Sequence, residues 1–206
     1  MKKLKIYSVY HKPWSTTIKA LCQYYQEEME RHIVDNKGVV VGRWLDCRHN
    51  IGLGGVYPEW LEFPLVFRVS EGKKYRDVLD TDDVVSNLLI SNNLKNVLEQ
   101  GHVTGWQTYP IKLYDKKGVE VDGYNGFSVI GKGGSFEDEN DIDTLERFRK
   151  NIKWKYRLSN WDGSDFFYIH NHGFYATQKV KDLFRINQID SALWFVPWEE
   201  RIELVE

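Results

Sequence analysis

The stretch from Ser91 to Pro110, SNNLKNVLEQGHVTGWQTYP, returns in outline from Ala176 to Pro197 as ATQKVKDLFRINQIDSALWFVP. Leu94-Lys95-Asn96-Val97-Leu98 aligns with Val180-Lys181-Asp182-Leu183-Phe184 at an offset of 180 − 94 = 86 residues. The same offset sets Thr177 under Ser91. Both residue types favour helix N-caps, because a side-chain oxygen there accepts a free backbone N–H. Leu94, Val97 and Leu98 then form an i, i+3, i+4 apolar stripe. In each copy a short polar turn, an aromatic strand and a proline follow, with the prolines slipped by one position. Two copies are too few for a solenoid, which needs at least about three. The pattern predicts a cap–helix–turn–strand unit used twice in an α+β fold, its sheet mixed or mostly antiparallel and its helices few and short.

Around the repeat, local patterns predict further elements. Leu4–Tyr10 alternates and is rich in β-formers, so it predicts a strand. Ser15–Thr17 offer a cap, and Ile18, Leu21, Cys22, Tyr25, Met29 and Ile33 then fall on one face of a helix that stops before Asn36-Lys37-Gly38. Val39–Leu45 and Pro64–Ser70 predict strands, separated by the glycine-rich loop GLGGVYPEW. The acidic run RDVLDTDD leads to a strand at VVSNLLI; Asp115–Gly118 predicts a turn and Gly123–Ile130 another strand. The organisation expected is one chain over 1–206, with 1–75 as an N-terminal lobe and 76–206 carrying the repeat at 91–110 and 177–197.

Charge is divided unevenly. Of 28 basic and 30 acidic side chains, residues 1–76 carry 13 and 8, a net +5, and residues 77–206 carry 15 and 22, a net −7. An acidic C-terminal part favours a basic partner over a phosphate backbone, although solvated surfaces also drift in charge. Eight Trp, twelve Tyr and ten Phe are enough to fill large cores, and also to supply binding anchors. Cys22 and Cys47 allow one disulfide but no secreted disulfide framework. No apolar run of signal-peptide length follows the basic start, and none approaches the ~18 residues of a membrane helix. The expectation is a cytoplasmic chain with no membrane partner.

The candidate chemical motifs are each incomplete. Gly126–Gly133, GFSVIGKG, has P-loop spacing but ends in Gly133 where Ser or Thr would hold magnesium, and its middle is strand-like. His170 and His172 would share one face of a strand, yet no spacing supplies a third metal ligand. FEDENDID, Phe136–Asp143, fails the EF-hand pattern, since counting from Asp138 puts Ile142 at position five and Asp143 at six. It predicts an exposed acidic loop, and Glu137, Asp138, Glu139 and Asp141 are the candidate partner-binding residues. RFRKNIKWKYR, Arg147–Arg157, has a nucleic-acid-like composition. Alternation instead predicts a strand with Lys153, Lys155 and Arg157 outward and Trp154, Tyr156 and Leu158 inward, so no nucleic acid is expected. Neither a G-x-S-x-G elbow nor an H-E-x-x-H pair is present, so an enzyme and a cofactor are not expected.

Three stretches carry a resemblance. S-x-x-L-K-x-x-L followed by T-G-W and a proline uses Ser91, Leu94, Gly105 and Trp106. WDGSDFFYI, leading into FYATQKVKDLF, uses Trp161, Asp162, Asp165 and Phe166, and YDKKGVEVDGYNGFSV is the third. Over about residues 75–197 the chain resembles a bacterial family long carried as a domain of unknown function and now grouped with the immunity proteins of polymorphic toxin systems. The resemblance implies binding to a cognate toxin domain, with neutralisation by occlusion and not by chemistry. It also implies that the motif residues hold the fold, because contact surfaces must differ from toxin to toxin. A basic toxin such as a nuclease would suit the acidic C-terminal part. The competing reading is a carbohydrate- or small-ligand-binding domain, which predicts several aromatics exposed together in a groove.

Overall fold

The computed structural model describes residues 5–12, 15–22, 54–55, 57, 63–81, 88–138, 144–169, 173–198 and 202–205. In chain order these form β1 (Ile6–His11), β2 (Lys19–Cys22), β3 (Leu65–Glu71), β4 (Val78–Thr81), β5 (Leu88–Ser91), α1 (Asn92–Gln100), β6 (Trp106–Tyr109), β7 (Ile111–Tyr114) and β8 (Tyr124–Val129). There follow α2 (Thr144–Arg149), β9 (Trp154–Arg157), a 3-10 turn (Leu158–Asn160), β10 (Phe166–Ile169), β11 (Gly173–Thr177), α3 (Gln178–Ile186), β12 (Leu193–Pro197) and β13 (Ile202–Val205). The fold is α+β with mixed and antiparallel sheets.

Among the described residues one sheet runs β6-β8-β5-β4-β2-β3-β7, a second runs β10-β11-β1-β12, and β13 pairs with β9 in parallel. In the first sheet β8 lies antiparallel between β5 and β6. In the second, β1 lies antiparallel between β11 and β12. Strands from the first 75 residues therefore enter both sheets: β1 the second, and β2 and β3 the first beside β4 and β7. Residue 75 is not a boundary in the strand pairing.

Side-chain alternation explains why both larger sheets are covered on two faces. Along β5, Leu88 and Ile90 enter one core while Leu89 enters another, since successive residues of a strand point to opposite faces. In β10, Phe166 and Phe167 divide in the same way. The central core joins the two sheets and both nine-residue helices, through Leu94 and Leu98 of α1 and Val180 and Phe184 of α3. A small gap within it is lined only by apolar side chains, among them Val78, Leu94, Phe127, Phe166 and Leu193. Such a gap stays dry, because a water there would lack polar partners.

Three expectations need correction. The helix drawn from Ile18 begins instead as β2, and its later part, with Tyr25, Met29 and Ile33, lies outside the described residues. Ile18, Ala20 and Cys22 are buried at period two, and pairing with β3 and β4 selects the strand. The acidic run before VVSNLLI contains β4, whose Val78 and Leu79 are fully buried. Leu158 does not face the core; it is exposed in the 3-10 turn, while Tyr156 two residues earlier is fully buried. The Val39–Leu45 strand, Cys47 and the His170/His172 pair lie outside the described residues. Among the described residues no helix is long and apolar enough to cross a membrane.

Candidate functional site

Six of the residues marked by the resemblance, Gly105 and Trp106 from one stretch and Trp161, Asp162, Asp165 and Phe166 from another, meet along one seam. Ser91 and Leu94 bond instead at the start of α1, where Ser91 meets Asp77. Gly105 has φ +81°, and a Cβ there would sit 1.9 Å from the Phe166 carbonyl oxygen. Gly105 also accepts from the Ile130 and Gly131 amides at 2.9 and 3.1 Å. A Cβ added at Gly131 would lie 2.1 Å from the same Phe166 oxygen. Asp162 accepts from the Lys132 amide at 2.7 Å and from the Ser164 amide at 3.0 Å, and its own N–H donates to the Lys132 carbonyl at 2.9 Å. Trp161 Nε1 donates to the Ser164 carbonyl at 3.0 Å while its ring packs 5.3 Å from Phe167. Trp106 Nε1 donates to the Val103 carbonyl at 2.9 Å, and its ring stacks 6.1 Å from Phe127. Phe166 is buried against Phe127 and Phe174.

Asp165 is the centre of this seam. Its Oδ2 accepts from the Thr104 amide at 3.0 Å and from Lys179 Nζ at 2.9 Å; its Oδ1 accepts from the Thr177 hydroxyl at 2.9 Å. The Asp165 and Phe166 amides donate back to the Thr104 hydroxyl and carbonyl, each at 3.0 Å. Burial alone would raise the Asp165 carboxyl, but Lys179, Thr104 and Thr177 hold it below the ordinary carboxylate range. Asp162 behaves likewise: burial opposes ionisation, and the bonds from Lys132 and Ser164 outweigh it.

A matching arrangement surrounds Asp77, a residue the motif reading did not single out. Asp77 Oδ1 accepts from the Ser91 hydroxyl at 2.5 Å and from Asn93 Nδ2 at 3.1 Å, and its Oδ2 accepts from the Asp190 amide at 2.9 Å. Ser91 Oγ in turn accepts from the Leu94 amide at 3.1 Å, so the predicted N-cap of α1 is in place, with Leu94 buried beneath it. Lys74 and Arg76 bind the Asp190 carboxylate and hold it below its ordinary range. Tyr124 beside them is raised to about 12, by burial first and then by Asp77, Tyr75 and Asp190.

The acidic loop has two roles within a few residues. Glu137 is exposed, pairs with Arg157 at 3.5 Å and accepts from Asn160 at 3.2 Å. Asp138 is not exposed as the charge run predicts: it is 6% accessible and bonds Arg147 Nη1 at 2.9 Å and the Lys155 amide at 3.0 Å. Arg147 is buried too, donates to the Lys153 carbonyl at 2.9 Å, and lies 4.0 Å over the Trp154 ring. A buried carboxylate is retained only with such compensation. Glu139 and Asp141 lie outside the described residues. The root of the loop is therefore fixed inward at Asp138 while Glu137 and Glu146 present charge outward.

The P-loop resemblance does not survive the geometry. The Gly131, Lys132 and Gly133 amides donate to Gly105 O, Asp162 Oδ2 and Tyr168 O, so they are not turned to a phosphate. Lys153, Lys155 and Arg157 are exposed, as alternation along β9 requires. Among the described residues no group of three His, Cys, Asp or Glu side chains is placed to hold a metal ion. No protein-family model and no curated protein matches this chain.

Proposed function

We propose that this chain is an immunity protein, acting in the bacterial cytoplasm to neutralise a cognate toxin domain by direct binding and occlusion, without chemistry or a cofactor. The observation that carries the reading is how the motif carboxylates are used. Asp162 and Asp165 have every described bond directed at backbone amides, hydroxyls and a lysine of the same chain. Groups consumed in this way make a stiff scaffold, and recognition falls to exposed charge such as Glu137 and Glu146. Their partners Arg157 and Lys150 are themselves exposed and can exchange for a toxin's cations. Charge of that kind steers association and selects partners, and the net −7 of residues 77–206 suits a basic toxin.

Aromatic placement favours this reading over a glycan-binding groove. Tyr7, Phe67, Tyr109, Phe127, Tyr156, Phe167, Tyr175 and Trp198 are all buried. The most exposed described aromatics, Phe63, Tyr75 and Trp194, lie respectively before β3, between β3 and β4, and on β12. As part of the same proposal, the cap–helix–turn–strand unit serves twice as framework. Its support is bond by bond: Gly101 and Asn187 donate to Val97 and Leu183, and Val103 and Ile189 donate to Leu98 and Phe184. Binding is tested by sequencing the flanking DNA for a gene that encodes a toxin-like protein and titrating the purified chain with that protein's C-terminal domain. A locus without such a gene counts against the proposal. A stable complex on gel filtration and calorimetry supports the proposal. Two separate peaks and no heat with that domain reject it.

A further inference from the structure

Asp77 and Asp165 stand in equivalent places, each immediately before the first strand of a hairpin that leads into a nine-residue helix. Each carboxylate's Oδ1 accepts from the hydroxyl of the residue that precedes its own helix, Ser91 for α1 and Thr177 for α3. Ser91 also caps α1 by accepting from the Leu94 amide, whereas the Thr177 side chain makes no such cap bond, contrary to the sequence expectation. The side chain two residues further on also binds the same carboxylate, Asn93 in one case and Lys179 in the other. Each Oδ2 accepts from a backbone amide of the other half, four residues past the end of the opposite helix: that of Asp190 for Asp77 and that of Thr104 for Asp165. The two exit turns have the same shape, with His102 and Gln188 at φ 47° and 51°. Main-chain bonds reinforce both crossings, from Asp77 N to Asp190 O at 2.7 Å and from Phe166 N to Thr104 O at 3.0 Å.

Followed in order, these contacts close on themselves. Asp77 holds the start of α1; the exit turn of α1 reaches Asp165; Asp165 holds the start of α3; the exit turn of α3 returns to Asp77. A helix of nine residues is too short to persist alone in water, so each depends on both of its fastened ends. We propose that the two aspartates form a reciprocal latch, a closed ring that makes the two halves open only together. The helices within it carry Leu94, Leu98, Val180 and Phe184 of the central core, so opening the ring exposes that core. The latch operates whatever the chain binds.

Native-state hydrogen exchange on the full chain tests it directly. In the unaltered protein the Thr104 and Asp190 amides are expected to show protection factors within about threefold of each other and to lose them in parallel as urea is added. In Asp165→Asn, which keeps one acceptor oxygen, exchange should rise about tenfold or more at Thr104 and also at Asp190, which Asp165 does not touch. Asp77→Asn should give the reciprocal result. The proposal is overturned if the two amides of the unaltered protein differ by more than about tenfold. It is equally overturned if either substitution frees only the amide bonded to that aspartate. The unaltered protein alone decides the matter should a variant fail to fold.

Discussion

Replacing Asp165 with alanine should be among the most damaging changes at any partly accessible position of this chain. The Asp165 side chain is 14% exposed, and its loss leaves the Thr104 amide and the Thr177 hydroxyl without their acceptor. The Thr177 hydroxyl is buried, and leaving it unsatisfied costs about 1–3 kcal/mol. The Thr104 amide lies at the surface and loses only the net worth of its bond, about 0.5–1.5 kcal/mol. Lys179, at 44% exposure, re-enters water and adds at most about 1 kcal/mol. The sum is about 1.5–5.5 kcal/mol, which at a urea slope of roughly 2 kcal/mol/M lowers the midpoint by about 0.8–2.8 M. Asparagine should cost less, about 1–2 kcal/mol, because its oxygen can face Thr104 and Lys179 while the Thr177 hydroxyl turns to accept from its amide. The folded carboxyl is held below 3.8, so its contribution is complete above that value and is lost as pH falls through and below it. Urea melts at pH 7 and pH 3.5 provide the assay. An alanine variant within about 0.5 kcal/mol of the parent at pH 7, or a deficit that grows on acidification, refutes the reasoning.

Other substitutions probe separate parts of the structure. Gly105→Ala forces a side chain into positive φ and against a carbonyl oxygen at 1.9 Å, and should cost about 2–6 kcal/mol by thermal or urea melt. Arg147→Met strands the buried Asp138 and should cost about 3–5 kcal/mol; a loss under about 1 kcal/mol on chemical denaturation shows that the pair is not the anchor of the loop. His11 is held below 6.5 by burial first, with Asp80 at 3.7 Å opposing and Lys19 assisting. The folded state then binds fewer protons than the unfolded one, so stability should fall as pH drops below 6.5. His11→Asn should lose less stability than the parent between pH 7.5 and 5.5 in urea melts; equal losses contradict this.

Local chemistry made parts of this fold readable in advance. Ser91, with Leu94 and Leu98 behind it, announces α1, and Asp115 announces its turn by accepting from the Lys117 and Val119 amides, both at 2.8 Å. Where two periodicities coincide, sequence pattern has no means of choosing. Ile18, Leu21 and Cys22 suit a helix face, Ile18, Ala20 and Cys22 suit a strand, and pairing with distant β3 decides. Asp138 reads as one more acid in an exposed run, yet Arg147 nine residues on draws it inward. The aspartate latches were the least visible. Asp77 meets Asp190 across 113 residues and Asp165 meets Thr104 across 61, and no local spacing encodes either meeting.

Co-expression most directly tests the central claim that the chain protects by binding. The C-terminal domain of any toxin-like protein found encoded beside the gene would be induced in cells with and without this chain, and survival counted. The account predicts that cells live only when both are made and that the two are recovered as one complex. Equal killing in the presence and absence of the chain would contradict it.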